Sequence, residues 1–159
     1  VGFAAHDHAA CQANGLRAAE SYCADKGLRL TPQRRKVLEL LLASHHALGA
    51  YELLDHLRGE GLGSQPPVVY RALDFLTAHG FVHKLERLNA FVACTHSHAD
   101  GGHSPAFLIC RSCGKVAETH LNTAQSAPIT ATAATLGFHI DQIMIEAEGL
   151  CPDCQKAVT

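Results

Sequence analysis

The sequence contains no apolar run long enough to span a bilayer, and its N-terminus lacks the basic and then apolar pattern of a signal peptide. These absences predict a soluble protein of the cytoplasm. The chain also has no internal repeat and no low-complexity tract, which excludes a repeat protein. Its 159 residues are 47% hydrophobic, enough to bury the core of one domain or of two small ones.

An excess of positive charge is missing as well, because 13 Lys and Arg stand against 15 Asp and Glu. This balance argues against nucleic acid, since phosphate binding usually needs a basic surface. The charge is unevenly distributed, however: residues 1–95 carry ten Lys and Arg against nine Asp and Glu, and residues 96–159 carry three against six. A bound divalent metal would add positive charge that this count omits, so DNA stays a candidate partner.

The seven cysteines form the clearest pattern in the chain. A secreted disulfide scaffold would leave one of them unpaired. Two CxxC motifs, here called knuckles, consist of Cys110 with Cys113 and of Cys151 with Cys154. Four thiolates at this spacing are typical of a closed tetrahedral zinc site, and the alternative is a pair of redox dithiols or ordinary buried cysteines.

Helix start and stop signals predict four helices in the first 80 residues. The first covers about residues 9–26, the second follows a capping Thr31, the third lies within 49–61, and the fourth runs from Pro66 to about Gly80. Short helices with tight joints predict helix-turn-helix packing. Tyr70 and Arg71 then lie near the start of a DNA-reading helix.

Residues 81–95 predict a β-hairpin. A tight turn centred on Leu88 and Asn89 makes the numbers of opposed residues sum to 177, which places His83 opposite Cys94. Side chains opposed in this way lie roughly 5 Å apart, so an imidazole and a thiolate can share one metal ion.

The polar, glycine-containing stretch 96–104 predicts a hinge between residues 1–95 and residues 105–159. The second part predicts strands at 107–110, 115–120 and 138–147 and a helix at 124–136. This small α/β domain is thin for its own core, so structural zinc and a dimer interface are both expected to stabilise it.

These motifs together resemble the ferric uptake regulator superfamily. The residues that carry the resemblance are Arg29-Leu30-Thr31-Pro32-Gln33-Arg34, the helix segment Tyr70-Arg71-Ala72-Leu73, a histidine in the hinge and the paired knuckles. Phe81-Val82-His83-Lys84, Cys94 and Gly149-Leu150-Cys151 resemble the zinc uptake branch of that superfamily.

The resemblance covers about residues 16–154 and implies a fold and a function. It implies an α/β protein with an N-terminal winged helix-turn-helix DNA-binding domain and a small C-terminal α/β dimerisation domain. It further implies a homodimeric repressor that closes onto double-stranded DNA when it binds zinc and that controls zinc uptake genes.

The resemblance also implies two metal sites. The four knuckle cysteines match the structural zinc site, and His83, Cys94, His103 and Glu118 match a regulatory site with ligands from both sides of the hinge. Mixed nitrogen, sulfur and oxygen donors suit Zn²⁺, and a thiolate among them argues against a site for Fe²⁺ or Mn²⁺.

Whether further histidines form a third metal site stays open at this point. The candidates are His96 and His98 in the hinge, with His120 or His139. Exposed histidines without a metal are the simpler interpretation.

Five residues are candidates for DNA contact. Arg71 can donate two hydrogen bonds to guanine, and the ring of Tyr70 can pack on a thymine methyl. Tyr51 and Arg34 are candidates for phosphate or base-edge contacts, and Arg29 is a candidate for the minor groove.

Two other features near the recognition helix bear on its contacts. Val68 stands where the resembled family usually has Thr, so one polar contact or cap is absent. Asp55 and Arg58 lie one turn apart on the third helix, and a pair within that helix is the default expectation.

The sequence argues against an enzyme as the alternative function. A zinc enzyme of the nucleobase deaminase type would need His-x-Glu, which the sequence lacks, and four protein ligands leave no open position for a catalytic water. We therefore predict no enzymatic activity. A sensor of another metal in the same superfamily and a zinc-stabilised interaction module are the alternatives.

Overall fold

The computed structural model describes residue 3 and residues 8–44, 46–95 and 104–157. From residue 8 onward the described residues form two compact units, one up to residue 95 and one from residue 104. The predicted domain boundary at 95 and the hinge over 96–104 stay predictions, because residues 96–103 lie outside the described part. Among the described helices, none combines the length and hydropathy needed to cross a membrane.

The first unit contains four helices followed by a β-hairpin. In chain order these are α1 (His8–Asp25), α2 (Pro32–Ala43), α3 (Ala50–Gly59), α4 (Pro66–Ala78), β1 (Val82–Leu85) and β2 (Ala90–Ala93). A short bridge between Leu48 and Phe91 ties the segment before α3 to the hairpin. This order of elements is the predicted winged helix-turn-helix.

Local signals in the sequence set the ends of these helices. The hydroxyl of Thr31 accepts a hydrogen bond from the backbone N–H of Arg34 at 3.4 Å, which caps α2, and Pro32 occupies its first position. Gly27 ends α1 with a φ of +64°, a conformation that costs glycine little. The first helix therefore stops close to its predicted end.

Leucines from three helices are the most frequent residues in the core of this unit. The fully buried members are Leu38 and Leu41 of α2, Leu53, Leu54 and Leu57 of α3, and Leu73 and Leu76 of α4. Each recurs at helical spacing, so one apolar face per helix turns inward. The outward face of α4, which includes Tyr70 and Arg71, is exposed.

The register of the hairpin differs from the predicted one by two residues. His83 opposes Val92 instead of Cys94, and the turn covers residues 86–89. Asn89 takes a φ of +46°, which Asn tolerates because its short polar side chain fits the left-handed region. The turn thus shifts until Asn89 lies at its end. Cys94 becomes the diagonal neighbour of His83 on the same face of the hairpin.

The second unit contains a three-stranded sheet with two helices. In chain order its elements are β3 (Pro105–Cys110), β4 (Val116–His120), α5 (Thr123–Thr135), β5 (Ile145–Gly149) and α6 (Pro152–Lys156). Strand β3 lies in the middle, antiparallel to β4 and parallel to β5. The predicted α/β character of this part is confirmed.

The predicted strand over 138–147 is wrong over its first seven residues, because β5 covers Ile145–Gly149. Phe138 belongs to the end of α5, since its N–H donates to the carbonyl of Ala133 at 2.9 Å and Gly137 has a φ of +65°. This pattern is a helix C-cap, which turns the chain away before a strand can begin. Only residues from Ile145 onward pair with β3.

We predict that Thr31→Ala lowers the free energy of unfolding by about 1 kcal/mol, because the first turn of α2 loses its side-chain cap. Urea unfolding of the full chain followed by circular dichroism measures the change. Thr31→Ser keeps the hydroxyl and serves as the control. Equal stability of Thr31→Ala and wild type would show that the cap contributes nothing.

Candidate metal centre and recognition helix

Four cysteine sulfurs converge at one end of the second unit. The Sγ atoms of Cys110, Cys113, Cys151 and Cys154 all lie within 4.8 Å of one another, and those of Cys113 and Cys151 are 3.7 Å apart. None of the four is in a disulfide. Sulfurs 2.3 Å from a tetrahedral zinc ion lie roughly 3.8 Å apart, so this group fits zinc.

The parallel pairing of β3 with β5 brings the two knuckles together. Cys110, the last residue of β3, pairs with Gly149, the last of β5, so both strands end at the same edge of the sheet. The N–H of Arg111 donates to the carbonyl of Gly149 at 3.0 Å, and the N–H of Cys151 donates to the Sγ of Cys110 at 3.3 Å. Backbone hydrogen bonds therefore orient the sulfurs.

Hydrogen bonds within the group also give Cys110 and Cys154 different thiol pKa values. Backbone N–H groups of Cys113 and Cys151 lower the pKa of Cys110 to about 6, against the effect of burial. The side chain of Ser112 lowers the pKa of Cys154, but hydrogen bonding with Cys151 and burial raise it more, to about 11. Because thiolates are the metal ligands, metal binding must release the protons that remain, and metal affinity falls with acidification.

A second pair of candidate ligands lies on the hairpin of the first unit. A ring nitrogen of His83 and the Sγ of Cys94 lie within 4.8 Å of each other, and both side chains are buried. The N–H of Cys94 donates to the carbonyl of Phe81 at 2.9 Å, which continues the pairing beyond the strands. The predicted sharing of one face by His83 and Cys94 is retained despite the shifted register.

The other two predicted ligands of the regulatory site are Glu118 and His103. Glu118 is half-buried in the middle of β4, beside the fully buried Phe107 of β3. His103 lies outside the described residues, as do His96 and His98.

The histidines considered for a third metal site do not gather within the described part of the chain. His120 ends β4 and is half-buried, whereas His139 is 91% exposed, with Nε2 3.5 Å from Asp141. Within that part, the second unit contains no further group of three candidate ligands. The third site therefore gains no support from these residues.

Helix α4 presents the predicted recognition residues on its outer face. Tyr70 is 44% exposed and Arg71 is exposed, while Val69, Ala72, Leu73 and Leu76 anchor the helix in the core. Tyr51, in the first turn of α3, is 67% exposed. Arg29, between α1 and α2, is exposed as well.

The side chain of Arg34 has a different environment from the other four DNA candidates. Its guanidinium carbon lies 3.7 Å from the ring centre of Phe75, and one of its nitrogens donates to the carbonyl of Arg29 at 2.6 Å. The stacking could not be predicted from local patterns, because Phe75 belongs to another helix.

Two neighbouring features have local explanations. Asp55 and Arg58 form the predicted pair within α3, with a 3.0 Å contact. Val68 is half-buried, and a Cβ added to Gly63 would lie 2.8 Å from it. Val68 thus lies so close to the turn before α4 that a side chain at residue 63 would collide with it.

A winged helix-turn-helix unit followed by a sheet with a four-cysteine metal group is the architecture of metal-dependent transcription regulators. The model of the ferric uptake regulator family matches residues 25–148, and the chain belongs to this family. The resemblance inferred from the motifs is thereby confirmed.

One curated relative and two solved structures with more than 40% identity to this chain are zinc uptake regulators. The zinc uptake regulation protein of Escherichia coli (strain K12) is 45% identical over 139 residues, covering 87% of this chain and 80% of that protein. A solved zinc uptake regulator complexed with zinc and DNA has a TM-score of 0.85 and 41% identity, covering 92% of this chain and 97% of its own. The crystal structure of holo XcZur has a TM-score of 0.79 and 45% identity, covering 89% and 96%.

We predict that Cys110→Ser loses one zinc ion per chain and lowers the free energy of unfolding by on the order of 3 kcal/mol, because the two knuckles lose their link. Metal analysis and thermal unfolding of the purified protein measure both effects. Cys11→Ser, in α1 and outside both ligand groups, is the matched control. Unchanged zinc content in Cys110→Ser would remove this residue from the site.

Proposed function

We propose that this protein is a zinc-responsive transcriptional repressor, which binds double-stranded DNA as a homodimer when its regulatory zinc site is filled and controls zinc uptake genes. The observation that carries the proposal is the fold likeness, at more than 40% identity, to a zinc uptake regulator complexed with zinc and DNA. The proposal places the protein in the cytoplasm, where its DNA is accessible.

The four-cysteine group has a structural role in this proposal. Its four thiolates fill every position of a tetrahedron, so no position is left for a catalytic water. Buried Cys110 and Cys151 lie against the ends of β3 and β5, where a bound ion holds the sheet edge together. The proposal accordingly assigns this group a structural role and not a catalytic one.

The regulatory set in this proposal consists of His83, Cys94, His103 and Glu118. Zinc bound there supplies a rigid link among its ligands. Burial of His83 and Cys94 restricts their rotamers and excludes water, so the pair offers one nitrogen and one sulfur in a fixed relation. The thiolate favours zinc over iron or manganese, which argues against a sensor of those metals.

The switch follows from the placement of these ligands along the chain. His83 and Cys94 belong to the winged unit and Glu118 to the sheet unit. A ligand shifts a conformational equilibrium only by its difference in affinity between two states. Ligands from both units create this difference, and the favoured state is the one in which two recognition helices fit successive major grooves.

Exposed apolar side chains of the second unit support the homodimer. Five large apolar side chains of this unit are between 42% and 77% exposed: Ile129 on α5, Leu136 and Phe138 after it, and Leu108 and Ile145 on neighbouring strands. A soluble monomer rarely leaves so many large apolar groups in water within one small unit. A second copy of the chain covers them in the proposed dimer.

We predict that Cys94→Ala weakens zinc-dependent DNA binding at least about tenfold, because the regulatory set loses its only sulfur ligand. Fluorescence anisotropy with selected DNA, titrated with zinc and then with a chelator, measures the loss. Cys11→Ala should behave as wild type. Wild-type zinc response in folded Cys94→Ala would remove the sensor role of this residue, and a wild-type protein insensitive to zinc would favour the interaction module.

We predict that Arg71→Ala costs about 1–3 kcal/mol on the preferred DNA and much less on a scrambled sequence, since a bidentate contact to guanine is lost. Binding selection on the zinc-loaded dimer supplies the preferred DNA. Arg17→Ala, an exposed arginine of α1, controls for the loss of one charge. Equal losses on both DNAs would show that Arg71 does not specify sequence.

A further inference from the structure

Arg34 lies in the first turn of α2, and its guanidinium contacts two other segments of the chain. One face lies on the ring of Phe75 from α4, 3.7 Å from the ring centre. One nitrogen donates to the carbonyl of Arg29 at 2.6 Å, in the segment between α1 and α2. Burial raises the pKa of the Cys23 thiol in α1, and the positive charge of Arg34 opposes part of that rise.

Phe75 connects this arginine to the recognition face of α4. It follows Arg71 by four residues, so the two side chains occupy the same stripe of the helix one turn apart. Phe75 also contacts His79, with ring centres 4.6 Å apart, and His79 lies 5.8 Å from Tyr22 of α1. The ring of Phe75 therefore packs between Arg34 and His79.

Arg34 thus contacts two segments that each contain a candidate DNA contact: the segment with Arg29 and helix α4 with Arg71. Its hydrogen bond fixes the peptide of Arg29, and its stacking fixes the helix that presents Arg71. A planar guanidinium can perform both tasks at once, whereas a lysine ammonium can do so only poorly, because it has no flat face and no fork of donors.

We infer that Arg34 is a positioning residue for DNA recognition, which sets the relation between Arg29 and α4, rather than a phosphate contact of its own. This inference rests on the proposed DNA-binding function. It predicts that the shape of the Arg34 side chain matters more than its charge and that removing its aromatic partner has the same effect as changing Arg34 itself.

The test compares Arg34→Lys, Phe75→Leu and the double variant with wild type, all zinc-loaded and corrected for active fraction by stoichiometric titration. Affinity is measured on selected and scrambled DNA over a series of salt concentrations. Each single variant should bind the selected DNA about three- to tenfold more weakly and lose part of its preference over scrambled DNA. The slope of log affinity against log salt should stay at the wild-type value.

The double variant should be little worse than either single one, because both changes remove the same contact. Arg35→Lys is the matched control, since Arg35 is the next residue of α2 and pairs with Glu20 and Glu39 instead. It should leave affinity, preference and salt slope unchanged. A role confined to stability would lower the active fraction without changing the preference of the active molecules.

A phosphate contact gives the opposite pattern. Arg34→Lys and Phe75→Leu would then bind as wild type, while Arg34→Gln would flatten the salt slope by about one unit. That result overturns the inference and leaves the proposed function intact. If wild type itself fails to bind DNA with zinc, the proposed function and this inference both fall.

Unfolding without DNA keeps the contact itself separately measurable. The zinc-loaded single and double variants should show non-additive losses of stability if the ring and the guanidinium interact in solution. Additive losses would show that the stacking contact does not form, which also contradicts the inference whatever the DNA measurements give.

Discussion

The pairing of β3 with β5 is the constraint on which the second unit depends. Two knuckles separated by some forty residues meet only because both strands end at the same edge of the sheet, with Cys110 beside Gly149. Few residues of this unit are buried, and α5 contributes only Ala133 to the interior among its described residues. A metal ion bound by both knuckles therefore supplies stability that the small apolar core of this unit cannot provide.

The first unit is stabilised in a different way. Its leucine core packs against the inward faces of α3 and α4. Contacts outside that core determine the position of the exposed face of α4. Arg34 and Phe75 belong to this outer layer, as do the closely packed Gly63 and Val68 at the turn before the helix. A recognition helix needs such contacts because base-edge hydrogen bonds tolerate little displacement.

The geometry of the hairpin determines how the two candidate ligands of the first unit are placed. Its turn adopts the position that Asn89 requires, and the resulting register makes His83 and Cys94 diagonal neighbours. Both arrangements leave imidazole and thiolate on one face, since a shift of the partner by two residues preserves the side of each side chain. The proximity of His83 and Cys94 was therefore predicted correctly from an incorrect register, whereas a shift of one residue would have placed them on opposite faces.

The sequence by itself determined the local elements and the donor chemistry. Caps at Thr31 and Gly27, the leucine periodicity and the knuckle spacing act over a few residues, so the chain order alone contains them. Only the tertiary structure decided that Phe138 ends α5, that Arg34 stacks on Phe75 and that Cys113 and Cys151 lie 3.7 Å apart. These contacts join residues distant along the chain, and their free energy depends on packing that local patterns do not encode.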